Sequence, residues 1–133
     1  MVFKAYWIFD EDLSTLSDIN IIVSRFSFAP PIHSYKGEIE ITINAIRFSG
    51  IHINSSENFN FNIFQSEILE IYYGFDELYS VYLVRGLGIW KPLKIKFQNG
   101  IYVSSVYIIS NYKLGISSNT KLFSCIKQWL ENY

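Results

Sequence analysis

The residues of this chain that could do chemistry are few and widely spaced. His33 and His52 are the two histidines and Cys125 is the lone cysteine. A zinc site draws three or four Cys, His or carboxylate ligands from short spacings. No H-x-x-x-H, C-x-x-C or H-E-x-x-H pattern stands here. A Cys125 nucleophile would need a histidine base and an oxyanion hole. Cys125 falls instead next to Ile126, in a stretch of helical apolar periodicity, where a partly buried structural thiol is expected. Asp10-Glu11-Asp12 and Asp76-Glu77 bring carboxylates together, as acid–base work or calcium binding requires. Adjacent side chains on a strand point apart, however, and both runs fall at expected turns, so they read as solvated turns. Gly86-Leu87-Gly88 lacks the third glycine and the following helix of a phosphate loop. We therefore expect no metal, no cofactor and no enzymatic activity.

Binding residues are easier to find. The segment "GIWKP" puts Trp90 in an expected loop, with Lys91 beside it and Lys94 and Lys96 just beyond. On a strand, Lys94 and Lys96 share one face about 6–7 Å apart. Trp90, Lys91, Lys94 and Lys96, with Lys113 a further candidate, could meet an acidic partner or anionic lipid. The plainer reading is a solvated strand face whose lysines discourage edge pairing. Tyr72, Tyr73, Tyr79, Tyr82, Tyr102 and Tyr107 all fall in expected strands and occupy both faces, so some of them face outward. Exposed tyrosine suits a protein interface or a homo-oligomer.

These residues sit in a chain of 133 residues, enough for one domain, taken as 1–133, with a sizeable core. Half of the residues are hydrophobic, 18% are aromatic and 17% are charged, which is a globular rather than a disordered composition. Ile, Phe, Tyr and Val dominate the apolar set and favour strands. Alanine is confined to Ala5, Ala29 and Ala45, so helix-forming content is thin. A net charge of −1 provides no field to draw nucleic acid. The single cysteine excludes an intrachain disulfide and fits a reducing, cytoplasmic setting. "MVFKAYWIFDED" is interrupted by Lys4 and has no small-residue cleavage site, so it does not read as a signal peptide. No run reaches the ~18 apolar residues of a membrane span.

Strand patterns cover most of the chain. They are expected over 2–9, 19–28, 59–64, 66–73, 78–86, 93–97 and 101–109. Ala29-Pro30-Pro31 stops the second of these, because proline cannot donate to a ladder. Between Gly37 and Gly50, Ile39, Ile41 and Ile43 alternate with polar residues, and Asn44-Ala45 is the expected connection to "IRFSGIHI". Asn99-Gly100 is the strongest hairpin signal. The period then changes. Leu122, Phe123, Ile126, Trp129, Leu130 and Tyr133 form one helical face, with Ser118 or Asn119 as N-cap. A helix over 119–131 is expected to cover the open part of a rolled sheet.

Gly37, Ile39, Ile41 and Thr42, followed by Ile46-Arg47-Phe48-Ser49-Gly50, look like the first hairpin of GRAM-type and bacterial PH-like domains. Ile68 and Ile71 in "FNFNIFQSEILEIYYG" stand at matching places in the next segment of that pattern. "CIKQWLENY" is similar to the C-terminal PH helix, whose tryptophan would be Trp129 here. The likeness spans about 37–133 and rests on strand patterning and one tryptophan. Residues 1–36 fall partly outside it, as an N-terminal extension or extra strands. It implies a mainly β PH-like barrel of about seven strands capped by the C-terminal helix, serving as a non-enzymatic module that binds a protein partner or itself. Phosphoinositide-binding relatives carry Lys and Arg around the first hairpin. This chain places Glu38 and Glu40 there, with only Lys36 and Arg47 nearby, which weighs against an inositol phosphate site. Peripheral membrane binding through Trp90, Lys91, Lys94 and Lys96 is the alternative expectation.

Overall fold

The computed structural model describes residues 1–15, 31–80, 90–113 and 116–132. Strand β1 is Val2–Phe9, followed by a short helix α1, Asp10–Ser14. Strands β2 (Tyr35–Ile41), β3 (Ala45–His52), β4 (Asn58–Phe64), β5 (Ile68–Tyr73), β6 (Leu93–Asn99) and β7 (Tyr102–Ser110) follow, and helix α2 spans Asn119–Glu131. The expected mainly β architecture with one C-terminal helix is the one observed. Expected strands over 19–28 and 81–86 lie outside the described residues. At the start of the latter, Leu78 and Tyr79 form a bend rather than a strand.

Among the described residues all strand pairings are antiparallel, in the order β4-β3-β2-β1-β7-β6-β5. The edge strands β4 and β5 are consecutive in the chain and joined only by the single 3-10 turn Gln65–Glu67. A three-residue link between opposite edges requires the sheet to curl back on itself. Phe61 of β4 accordingly meets Phe97 of β6 at 5.5 Å across the interior. Within the N-terminal part, β1 is the middle strand of the sheet, between β2 and β7.

Period-2 alternation decides which side chains face inward. Phe3, Trp7, Ile39, Phe48, Ile63, Ile95 and Ile108 line the concave side, and α2 closes it with buried Leu122 and Ile126. Each of those two helix side chains contributes about 2 kcal/mol by leaving water. Strands β1 and β7 are also covered on their outer side. There Ile8, Tyr107 and Ile109 pack under Leu13, Ile32, Tyr79 and Trp90. Burial on both faces explains the unbroken apolar run at the end of β7. It also removes Tyr79 and Tyr107 from the set of exposed tyrosines, whereas Tyr72 and Tyr102 do face solvent.

Two local details differ from the sequence reading. The β2–β3 turn is Thr42–Asn44, closed by Thr42 N–H donating to Ala45 O at 2.9 Å, so Ile43 is 86% exposed rather than core-facing. Helix α2 has Ser118 at its N-cap position without a side-chain capping bond. Asn119 instead is 0% exposed. Its amide donates to Lys91 O at 2.6 Å and Ile108 O at 2.9 Å, and its carbonyl accepts from Ser110 N–H and Ser110 Oγ, both at 2.8 Å. The helix start is thereby tied to the end of β7 and to the segment before β6.

Candidate functional site

A groove of about 670 Å³ lies on the convex face of β1, β2 and β3. The ladder sets its walls. Tyr6, Lys36 and Ile51 form one outward row across the three strands, and Lys4, Glu38 and Ser49 form the next. The backbone of Ala5, Gly37 and Gly50 forms the floor. Gly37 and Gly50 lie directly opposite each other. A Cβ on Gly37 would stand 2.1 Å from Ser49 O, and one on Gly50 2.2 Å from Lys36 O. Only glycine permits this close backbone approach beneath the groove.

The far wall is the segment Asn111–Lys113. Asn111 adopts φ 47°, a left-handed conformation that asparagine tolerates. Its backbone N–H donates to Lys4 O at 2.7 Å, its side-chain carbonyl accepts from Lys4 N–H at 3.1 Å, and its amide donates to Ser118 Oγ at 2.9 Å. These bonds lock the chain beside the start of β1 and carry Lys113 to the groove. Three exposed lysines, Lys4, Lys36 and Lys113, therefore meet around an apolar floor with Tyr6 and Tyr112. Among the described residues none of the three has a carboxylate within 4.0 Å, although Glu38 stands opposite Lys4 in the ladder. Behind Tyr6 sits His33, ring centroids 4.3 Å apart. Its Nδ1–H donates to Pro31 O at 2.6 Å. Burial lowers the His33 pKa below 6.5, and nearby Lys36 lowers it further against the raising effect of the Pro31 bond.

The residues singled out in the sequence lie elsewhere. Trp90 is 4% exposed and packs against Phe75, Tyr79 and Tyr112, so it is no surface anchor. Its indole belongs to the outer cluster that covers β1 and β7. Lys91 is exposed, with its ammonium 5.7 Å above the Tyr73 ring. Lys94 is paired with Asp76 at 3.0 Å, and Lys96 stands opposite Glu70 in the ladder. Lys113 belongs with Lys4 and Lys36, on the other side of β7 from Lys94. Nearby carboxylates thus offset the Lys94/Lys96 face, and no tryptophan projects from it.

Asp76 is not the solvated turn residue expected. Its Oδ1 accepts from Leu78 and Tyr79 N–H at 2.9 and 2.8 Å, and its Oδ2 accepts from Tyr107 OH at 2.7 Å and meets Lys94. Burial pushes the Asp76 carboxyl up. The bonds from Tyr107, Tyr79 and Lys94 outweigh it and hold the group below its ordinary value. Burial and the neighbouring carboxylate push the Tyr107 phenol well above its ordinary value, so it remains a donor. This cluster fastens the loop after β5 onto the sheet. A smaller cavity of about 270 Å³ lies at Tyr35, His52 and Phe59. Among the described residues, no group of three or more His, Cys, Asp or Glu could hold a metal ion, and no helix is long and apolar enough to cross a membrane.

Pairing in the ladder, which brings Lys4 and Lys36 together from distant parts of the chain, carries no signal in a single sequence. Lys113 depends on the turn at Asn111, and only the two flanking glycines of the first hairpin were visible beforehand. Comparison with protein-family models, with curated proteins and with solved structures gave no match.

Proposed function

We propose that this chain is a non-enzymatic interaction module that binds an acidic, partly apolar segment of a partner protein in the convex groove. The observation that carries this reading is the convergence of Lys4, Lys36 and Lys113 around a backbone floor flanked by Tyr6, Tyr112 and Ile51. Ammonium groups attract carboxylates, and tyrosine faces with an apolar floor accept the aliphatic part of the same segment. A PH-like scaffold suits such a role, and the curled seven-stranded sheet closed by a terminal helix supports that likeness. A reducing, cytoplasmic setting goes with the lone Cys125, which lies 3.2 Å from Met1 Sδ. Membrane binding through Trp90, Lys91, Lys94 and Lys96 has lost its anchor with the burial of Trp90.

The test is isothermal titration with synthetic peptides that alternate Asp or Glu with Leu or Phe. Wild-type protein binds them more weakly as salt rises, and Lys4→Glu/Lys36→Glu/Lys113→Glu reduces affinity at least about tenfold, in line with loss of complementary charge. Failure of every peptide to bind, or equal affinity in the variant, would overturn the reading.

A further inference from the structure

We infer that the edge of β4 left open among the described residues seats the β4 edge of a second copy of this chain, making one continuous antiparallel sheet across a two-fold axis. The two sheet edges are built differently. Strand β5 carries a bulge between Ile68 and Glu70 and a charge at Glu70, both of which blunt an edge. Strand β4, "NFNFNIF", has neither bulge, charge nor proline over its seven residues, and among the described residues it pairs only with β3.

The backbone of β4 is set for this pairing. His52 N–H donates to Glu57 O, and Gln65 N–H donates to Asn44 O. Antiparallel ladders alternate, so the odd-numbered residues of β4 address β3, while Asn58, Asn60, Asn62 and Phe64 present their backbone groups to the open side. Pairing with a second β4 centred on Phe61 matches Asn58 with Phe64 and Asn60 with Asn62, which uses all four. Phe64 N–H is already given to Glu67 Oε1 at 2.8 Å, leaving about six bonds between copies.

The same register matches the side chains. Phe59 stands opposite Ile63, and Phe61 opposite its own copy, all on the concave face, where Phe59 and Phe61 are only half-buried in one chain. Asn60 and Asn62 meet on the convex face, where both are exposed. The nearest charges flanking the strand, Glu57 and Glu67, fall opposite Gln65 and Ser55, so no like charges oppose. Shifting the centre by one residue brings in Ser56, whose φ of 59° ends the extended run, or leaves Asn58 opposite the 3-10 turn. The uncharged, palindrome-like edge is what selects a second copy over a charged partner.

Sedimentation velocity between about 1 and 100 μM is the first measurement. Wild-type protein reaches twice the chain mass, and Asn60→Lys/Asn62→Lys, on exposed positions, stays at the chain mass with an unchanged circular dichroism spectrum. A wild-type monomer throughout, or a dimer indifferent to the lysines, overturns the inference. Register is read by oxidation in a Cys125→Ser background. Asn60 opposite Asn62 places Cα atoms about 5.5 Å apart, within disulfide reach, whereas like positions sit diagonally at about 7–8 Å. A mixture of Asn60→Cys and Asn62→Cys chains therefore cross-links faster than either variant alone. Equal rates, or none, refute the register and the inference with it.

Discussion

His33 and Asp76 show how the folded surroundings, burial at one and hydrogen bonds at the other, make a single side chain a determinant of pH-dependent stability. His33 keeps its proton on Nδ1 for Pro31 O, and its folded pKa lies below the ordinary 6.5. The unfolded chain therefore binds the proton more readily, and protonation favours unfolding. Stability is complete above about pH 6.5 and falls as the pH drops from there toward the lowered folded value. Asp76, also depressed, loses its contribution only as the pH falls below its ordinary 3.8, so the two windows separate. Urea midpoints measured between about pH 7 and 5 should decline more steeply for the wild type than for His33→Gln. Coincident profiles would remove His33 from the account. At Asn119 residue type was readable but role was not. A polar residue before an apolar helical stripe suggests a cap, yet it is the fold that surrounds this amide with two carbonyls and Ser110.

At the scale of elements, the close approach in the β2–β3 hairpin and the β6–β7 turn make opposite demands on glycine. Gly37 has no room for a Cβ, which would meet the Ser49 carbonyl, fixed backbone that cannot swing aside. Gly100 has φ +64° at the first turn position of its hairpin but nothing within 4 Å. Gly37→Ala should therefore cost about 2–4 kcal/mol through backbone displacement, and Gly100→Ala about 1 kcal/mol through strain alone. Chemical denaturation of both variants checks the order, and similar costs would sink the close backbone approach as an explanation. Most strands were legible because inward and outward residues alternate, as in β4 and β6. The helix was legible because its apolar period changes to 3.6. The burial of Trp90 was not, because a loop residue has no period, and only the neighbouring loop decides whether it is covered.

Across the whole molecule, the two proposed surfaces use different parts of the sheet. The groove uses the convex face of β1, β2 and β3, with its lysines on β1, β2 and the segment after β7, while the copy-to-copy contact uses the backbone edge of β4. Substitutions more than 7–10 Å apart without shared partners act additively. The groove variant Lys4→Glu/Lys36→Glu/Lys113→Glu should keep the wild-type mass in sedimentation, and Asn60→Lys/Asn62→Lys should keep wild-type peptide affinity in titration. Loss of both properties in one variant would mean that the surfaces are not separate. The sequence by itself determined the class of the fold, the hairpin at Gly100 and the bounds of the terminal helix, because these follow from local periodicity and turn chemistry. Tertiary structure alone decided that β1 is central, that Trp90 is interior and that Lys4, Lys36 and Lys113 converge. Each depends on which strands become neighbours when the sheet curls, and that is set by packing between residues far apart in the chain.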